Sequence, residues 1–277
     1  MTARAAELLA HLHGLGVELS AADGKLQFRA PPGALTPALR AELAAHKPAL
    51  LALLDAPVPL SDAQERFWFL TQLSPGSAAY NITAQLRLDG ALDRQALARA
   101  LTEIVRRHDP LRTAAVRGDD GRGVARIAPP GELALAAVDL RDLAPAARLA
   151  EQQRLVAEAA RHPFDLAAPP HLRATLVQLD DARHLLVLVT HHFAADGWSM
   201  GVLLRELGAL YAAFHAGRPS PLPPLGVRYA ALAAEQRRRE ARGELAGQLA
   251  YWTAALAGAP PALELPTDFR LRISRGT

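Results

Sequence analysis

Two adjacent histidines, His191 and His192, precede Phe193-Ala194-Ala195-Asp196-Gly197, so two imidazoles, a carboxylate and a glycine fall within one short segment. A neutral imidazole titrates near physiological pH and can accept a proton or orient a hydrogen-bonded group. The carboxylate of Asp196 has two roles open to it: orienting His192, or forming an ion pair that holds the loop. Gly197 permits a positive φ or the close approach of another chain. The same residues would also suit a satisfied core network. No metal site is expected, because adjacent side chains on a strand diverge and cannot easily ligate one ion.

The flanking elements decide what this segment presents. His184-Leu185-Leu186-Val187-Leu188-Val189-Thr190 is short, apolar and almost free of charge, the pattern of a buried strand. A helical pattern then runs from Ser199 to His215, with Ser199 as its cap rather than a nucleophile. Strand ends and helix N-termini are where folds present catalytic groups and backbone donors. Successive strand side chains point to opposite faces, so continued pairing would make one histidine structural and turn the other toward a cavity.

Strands and helices alternate through the region upstream. Strands are expected over 84–88, 113–116, 124–127, 172–179 and 185–190, the last two forming a hairpin across Asp180-Asp181-Ala182-Arg183. A helix over 93–106 takes Asp93 as its cap and Leu97, Ala100, Leu101, Ile104 and Val105 as its core face. A second helix over 143–161 tolerates Pro145 in its first turn. Gly217 to Leu225 is a proline-rich connector. The pattern is mixed α/β.

Residues 1–56 read as a small domain of their own. An amphipathic helix over 4–13 is followed by two alternating segments, Val17 to Ser20 and Lys25 to Phe28, joined through Asp23-Gly24 as a hairpin. Thr36-Pro37 supplies an N-cap with proline at the first helical position, and Pro48 restarts a further helix. His11 and His13 are two residues apart, on different helix faces, and read as surface decoration. Asp55-Ala56-Pro57-Val58-Pro59 is expected to be a linker.

Composition narrows the classes of function. The chain has 277 residues, 50% hydrophobic and 21% charged, which suits a globular protein of one large or two ordinary domains. It contains no cysteine, which excludes disulfides, thiolate metal sites and a cysteine nucleophile, so any thioester chemistry must use a thiol on a partner or cofactor. No apolar stretch reaches membrane-spanning length and the N-terminus has no signal-peptide core, so a cytoplasmic protein without a membrane partner is expected. The basic run Arg237-Arg238-Arg239 is flanked by acids and reads as a solvated helix face, so no nucleic-acid partner is expected.

Four segments in register carry a family resemblance. His191 to Gly197 with Trp198-Ser199 resembles the HHxxxDG motif of nonribosomal peptide synthetase condensation domains. Leu60-Ser61-Asp62-Ala63-Gln64-Glu65-Arg66-Phe67-Trp68-Phe69-Leu70 resembles that family's opening motif, with Ala79-Tyr80-Asn81-Ile82 following. Arg107-His108-Asp109-Pro110-Leu111-Arg112-Thr113 resembles its RHExLRT motif, with Asp109 in place of Glu, and His162-Pro163-Phe164-Asp165-Leu166 its PFDL segment. Val116 departs from an expected Phe, and 231–236 lacks a usual Trp. Residues 1–56 are similar to a TubC-type N-terminal docking domain.

The resemblance implies a chloramphenicol-acetyltransferase-like lobe over 57–225 and, over 226–277, a connector with the start of a C-terminal lobe that the 277 residues do not contain. Tyr251-Trp252 and Leu265-Pro266-Thr267-Asp268 resemble the lead into that second lobe. The implied reaction is amide formation between a carrier-bound acyl or peptidyl thioester and a carrier-bound aminoacyl group. No cofactor would be bound directly, since phosphopantetheine arrives on partner carrier proteins. His192 is the implied working residue, as base or positioner, and the Gly197 N–H is a candidate oxyanion donor. His191 is implied to be structural. The resemblance favours an ion pair for Asp196, with Arg107 as first partner and Arg112 as second. An upstream synthase would dock its C-terminal segment on the hairpin strand Lys25-Leu26-Gln27-Phe28-Arg29 by β-augmentation, with Lys25, Arg29, Arg40 and Lys47 facing an acidic tail. The competing readings are a docking module without catalysis, an acyltransferase using soluble coenzyme A, and an epimerisation domain. The N-terminal docking pattern argues against the coenzyme A reading, and the position at the start of the chain against the epimerisation reading.

Overall fold

The computed structural model describes residues 2–22, 24–56 and 58–260. The expected Asp23 turn position, Pro57 and the Leu265–Asp268 segment lie outside the described residues. By contacts the chain divides into two units, the first running to Gln236 and a much smaller one beginning at Arg237.

The N-terminal part builds its own apolar cluster. Helix α1 (Thr2–Gly14) is followed by the antiparallel strands β1 (Glu18–Ala22) and β2 (Lys25–Arg29) and by helices α2 (Pro37–Ala45) and α3 (Lys47–Asp55). Leu8, Leu12, Leu19, Leu43 and Leu50 are buried together, each at the inward position that its helical or strand period dictates, with Val17 joining them from the turn before β1. The Thr36 side chain accepts the Leu39 N–H and Pro37 opens α2, as the sequence predicts.

The lobe that follows is layered around a four-stranded sheet. Its strands are β4 (Asn81–Asp89), β7 (Leu135–Asp139), β8 (Leu172–Gln178) and β9 (Arg183–His191), in the order β4-β9-β8-β7. Central β9 pairs antiparallel with both neighbours, and β7 runs parallel to β8. Leu186 and Leu188 of β9 face helices α5 (Arg94–Arg107) and α7 (Gly197–His215). Leu185, Val187 and Val189 face the other layer, which holds α4 (Asp62–Leu73), α6 (Pro145–Arg161) and a small sheet. Burial on both faces is why β9 is continuously apolar rather than alternating. The small sheet orders β3 (Val58–Pro59), β6 (Gly123–Ile127) and β5 (Thr113–Arg117).

Two elements differ from expectation. Val58–Pro59 is not linker but a short strand paired with Ala125 and Val124 of β6. Proline is tolerated there because β3 is an edge strand. Strand β7 carries no clear signal, since Leu-Ala-Ala-Val-Asp is short, small and half exposed, and its place comes from pairing with β8. Helix α8 (Tyr229–Ala241) begins inside the first unit, where the Tyr229 hydroxyl shares a hydrogen bond with Ser61 Oγ at 2.8 Å and Gln236 bonds Asp62. In the second unit, helix α9 (Ala246–Ala255) leaves Tyr251 and Trp252 exposed. The basic run behaves as a solvated helix face: Arg237 pairs with Glu240, and Arg239 and Arg242 with Glu244.

Candidate active site

The last residue of β9 is His191, whose Cα partner on β4 is Asn81. Its ring is 2% exposed and packs edge-on against Phe67, Tyr80 and Phe164. Nδ1 accepts the Phe193 N–H at 3.0 Å, which bends the chain out of the strand. Burial, and then the nearby His171 and His192, push the His191 pKa down to about 4, so the ring is neutral at ordinary pH.

His192 is exposed. Its backbone N–H donates to the Tyr80 carbonyl at 2.9 Å, and its ring stacks on Phe67 with centroids 5.4 Å apart and planes at 15°. Both histidine rings therefore touch Phe67. They differ in depth at the end of the strand rather than by pointing to opposite faces of the sheet. Phe67 is itself held by α4, whose start is fixed by a capping box between Ser61 and Gln64. The Arg66 guanidinium lies 5.1 Å from the Phe67 ring centroid. Asn81 Nδ2 donates to the carbonyls of Ala160 and His162 at 2.8 and 2.9 Å, tying the end of α6 to this corner.

Asp196 caps α7. Its Oδ1 accepts the Ser199 N–H at 2.8 Å and the Ser199 hydroxyl at 2.6 Å, and those two bonds lower its pKa. This corrects two expectations. The cap is Asp196, not Ser199, and the helix starts at Gly197. Asp196 also makes no ion pair with either expected arginine. Arg107 donates to Glu206 at 3.2 and 3.3 Å and to the Pro223 carbonyl at 3.0 Å. Arg112 donates to Asp109 and to the Ala128 carbonyl, each at 2.6 Å. The reason is distance along α7: Glu206 lies ten residues beyond Asp196, about 15 Å at the helical rise. The end of α5 reaches the former, not the latter.

Gly197 has no positive φ, and a Cβ built on it would meet nothing within 4 Å. Neither backbone strain nor a close approach within the chain requires glycine there. What it leaves is open space beside the first turn of α7, whose first N–H groups have no intrahelical acceptor.

Phe67 and Tyr80 are the site residues that sequence reasoning missed. Both lie in the quoted segments, and their aromatic character was the available signal. On the hairpin, Lys25, Gln27, Phe28 and Arg29 are exposed, Phe28 at 51%, while Leu26 packs into the N-terminal cluster. Arg29 turns toward the lobe and meets Glu103 of α5 at 3.3 Å. Arg40 donates to the Leu35 carbonyl.

Comparison with known proteins agrees with this architecture. Residues 55–276 match the condensation domain family and residues 6–55 the TubC N-terminal docking domain. The chain belongs to the condensation domain family, with a TubC-type docking domain at its N-terminal end. It is 47% identical over 211 residues to chondramide synthase cmdD of Chondromyces crocatus, covering 76% of this chain and 5% of that protein. Malpinin synthetase of Mortierella alpina is 43% identical over 215 residues, covering 77% of this chain and 3% of its own length. The first condensation domain of the CDA synthetase superposes with a TM-score of 0.67 at 26% identity, over 75% of this chain and 49% of that one. A structure described as showing condensation domain-mediated chain release from the enacyloxin polyketide synthase covers 94% of this chain and 53% of its own, with a TM-score of 0.61 and 29% identity. The chain thus spans about half the length of these solved relatives and a few per cent of these two curated synthetases. Among the described residues no helix is long and apolar enough to cross a membrane.

Proposed function

We propose that this chain carries the docking domain and the histidine-bearing lobe of a cytoplasmic amide-forming site in secondary-metabolite assembly. The amine of a carrier-bound aminoacyl group attacks the thioester carbonyl of a second carrier-bound acyl or peptidyl group. The C–N bond forms, the C–S bond breaks, and the donor thiol leaves with the proton that the amine loses. Both substrates arrive on phosphopantetheine arms, so much of the rate advantage comes from holding two ends together. His192 accepts or orients the proton of the attacking amine, and the Gly197 N–H at the start of α7 donates toward the developing oxyanion. His191 and Asp196 hold the segment rather than touch substrate. The hairpin strand Lys25–Arg29 receives the C-terminal segment of an upstream synthase.

The observation that carries this reading is that His192 is exposed yet fixed, by the Tyr80 carbonyl and the Phe67 ring, at the open end of the central strand. The same exposure favours the second reading, a docking module without catalysis, wherever the second wall of the site is lacking. Incubating a two-lobed protein built on this chain with one acyl-loaded and one aminoacyl-loaded carrier separates the two. Intact mass spectrometry should show the acyl mass moving onto the aminoacyl carrier. Binding of an upstream C-terminal peptide without any such transfer would leave the docking reading alone.

A further inference from the structure

The docking hairpin faces a groove walled by arginines of the condensation lobe. Ser20, Gln27 and Arg29 share the polar side of the hairpin, because Ser20 pairs with Gln27 and Glu18 with Arg29 in the β1–β2 register. That side borders a cleft of about 170 Å³ whose far wall includes Arg106, Arg112 and Arg228. A second cleft of about 370 Å³ shares Arg29, Arg106, Arg112 and Arg228 and reaches on to Arg107 and the proline-rich connector. Five guanidiniums line this groove against two lining carboxylates, Glu103 and Asp109, and Arg107 is paired with Glu206 of α7, which leaves an excess of two positive charges.

Glu103 bonds Arg29 and Arg106, and Asp109 bonds Arg112 through Oδ1 at 2.6 Å. Asp109 Oδ2 accepts no hydrogen bond, and the Arg228 guanidinium pairs with it only loosely, at 3.9 Å. Arg29 is 65% exposed and stands on the hairpin itself. Guanidinium groups bind carboxylates with two parallel N–H donors, which gives orientation as well as charge. The exposed Phe28 ring lies at the same mouth.

We infer that the docking site is composite: an acidic peptide segment is gripped by the hairpin on one side and, on the other, by Arg228 just past the lobe and the arginines beside it on the lobe. The inference rests on the docking reading above and adds the lobe to it. The excess of positive charge selects an anionic strand, and the cleft volumes admit a few residues of it. Partner choice is then read by the docking domain and the condensation lobe together, so the hairpin transplanted onto another lobe would lose part of its selectivity.

The test uses the whole chain and two fluorescein-labelled octapeptides, alternating Glu-Val and alternating Gln-Val, followed by fluorescence anisotropy at low and moderate salt. The wild-type chain should bind the Glu-Val peptide more tightly, with affinity falling as salt rises. Arg228→Gln should weaken Glu-Val binding about tenfold and leave Gln-Val binding unchanged, with the melting temperature of the variant recorded alongside. Phe28→Ala should weaken both peptides. If Phe28→Ala weakens binding while Arg228→Gln does not, or if only Gln-Val binds, the composite site is wrong and hairpin docking stands. If neither peptide binds, both fall.

Discussion

The two histidines of the motif differ in environment because they sit at different depths. His191 is buried among Phe67, Tyr80 and Phe164, and its folded pKa of about 4 lies below the unfolded value near 6.5. Stability from its neutral form is fully present above pH 6.5 and is lost as pH falls toward 4, on the order of 3 kcal/mol across that window. His171, also buried and shifted down by burial, adds to the same acid sensitivity. His191→Asn keeps an acceptor for the Phe193 N–H and has nothing to titrate. Denaturant melts from pH 7 to pH 4 should therefore show a shallower loss than wild type, and an unchanged slope would remove His191 from the account. Asp196→Ala deletes the α7 cap and should cost about 1 kcal/mol. Asp196→Asn should recover most of it, because Asn also caps, whereas an ion-pair role would make both variants equally poor.

The elements were legible where local rules and tertiary packing agreed. Asp93 capping α5, Thr36-Pro37 opening α2 and the β8–β9 hairpin follow from single residues or short periods. The depth of His191 and His192 was legible as an inequality, but its cause was not, since both rings meet Phe67 of α4. The partners of Arg107 and Arg112 were misread because sequence order says nothing of how far the end of α5 and the turn after it lie from the start of α7. Strand β3 was misread as linker because its register is set by β6, not by its own two residues. Gly123 in β6 makes that packing testable. A Cβ there would lie 2.6 Å from Leu60 Cδ1 and 2.9 Å from Trp68, so the α4–β6 contact depends on its absence. Gly123→Ala should destabilise the lobe by about 1–3 kcal/mol. A melting temperature within a degree of wild type would mean that α4 shifts freely, and with it Phe67 and His192.

At the scale of the whole molecule, the proposed function requires the histidine-bearing lobe and the docking domain to act with a second lobe. The chain overlaps about half of each of the two solved relatives, and His192 is exposed. Amide formation should therefore depend on the partner lobe: the 277 residues alone should give no product from two loaded carriers, and a two-lobed protein should. The measurement that tests the central claim most directly is single-turnover transfer in that two-lobed protein, wild type against His192→Ala, read as the mass of the acceptor carrier. The account predicts a rate lowered about 10²–10⁴-fold with carrier binding retained. Transfer at the wild-type rate by His192→Ala would contradict it.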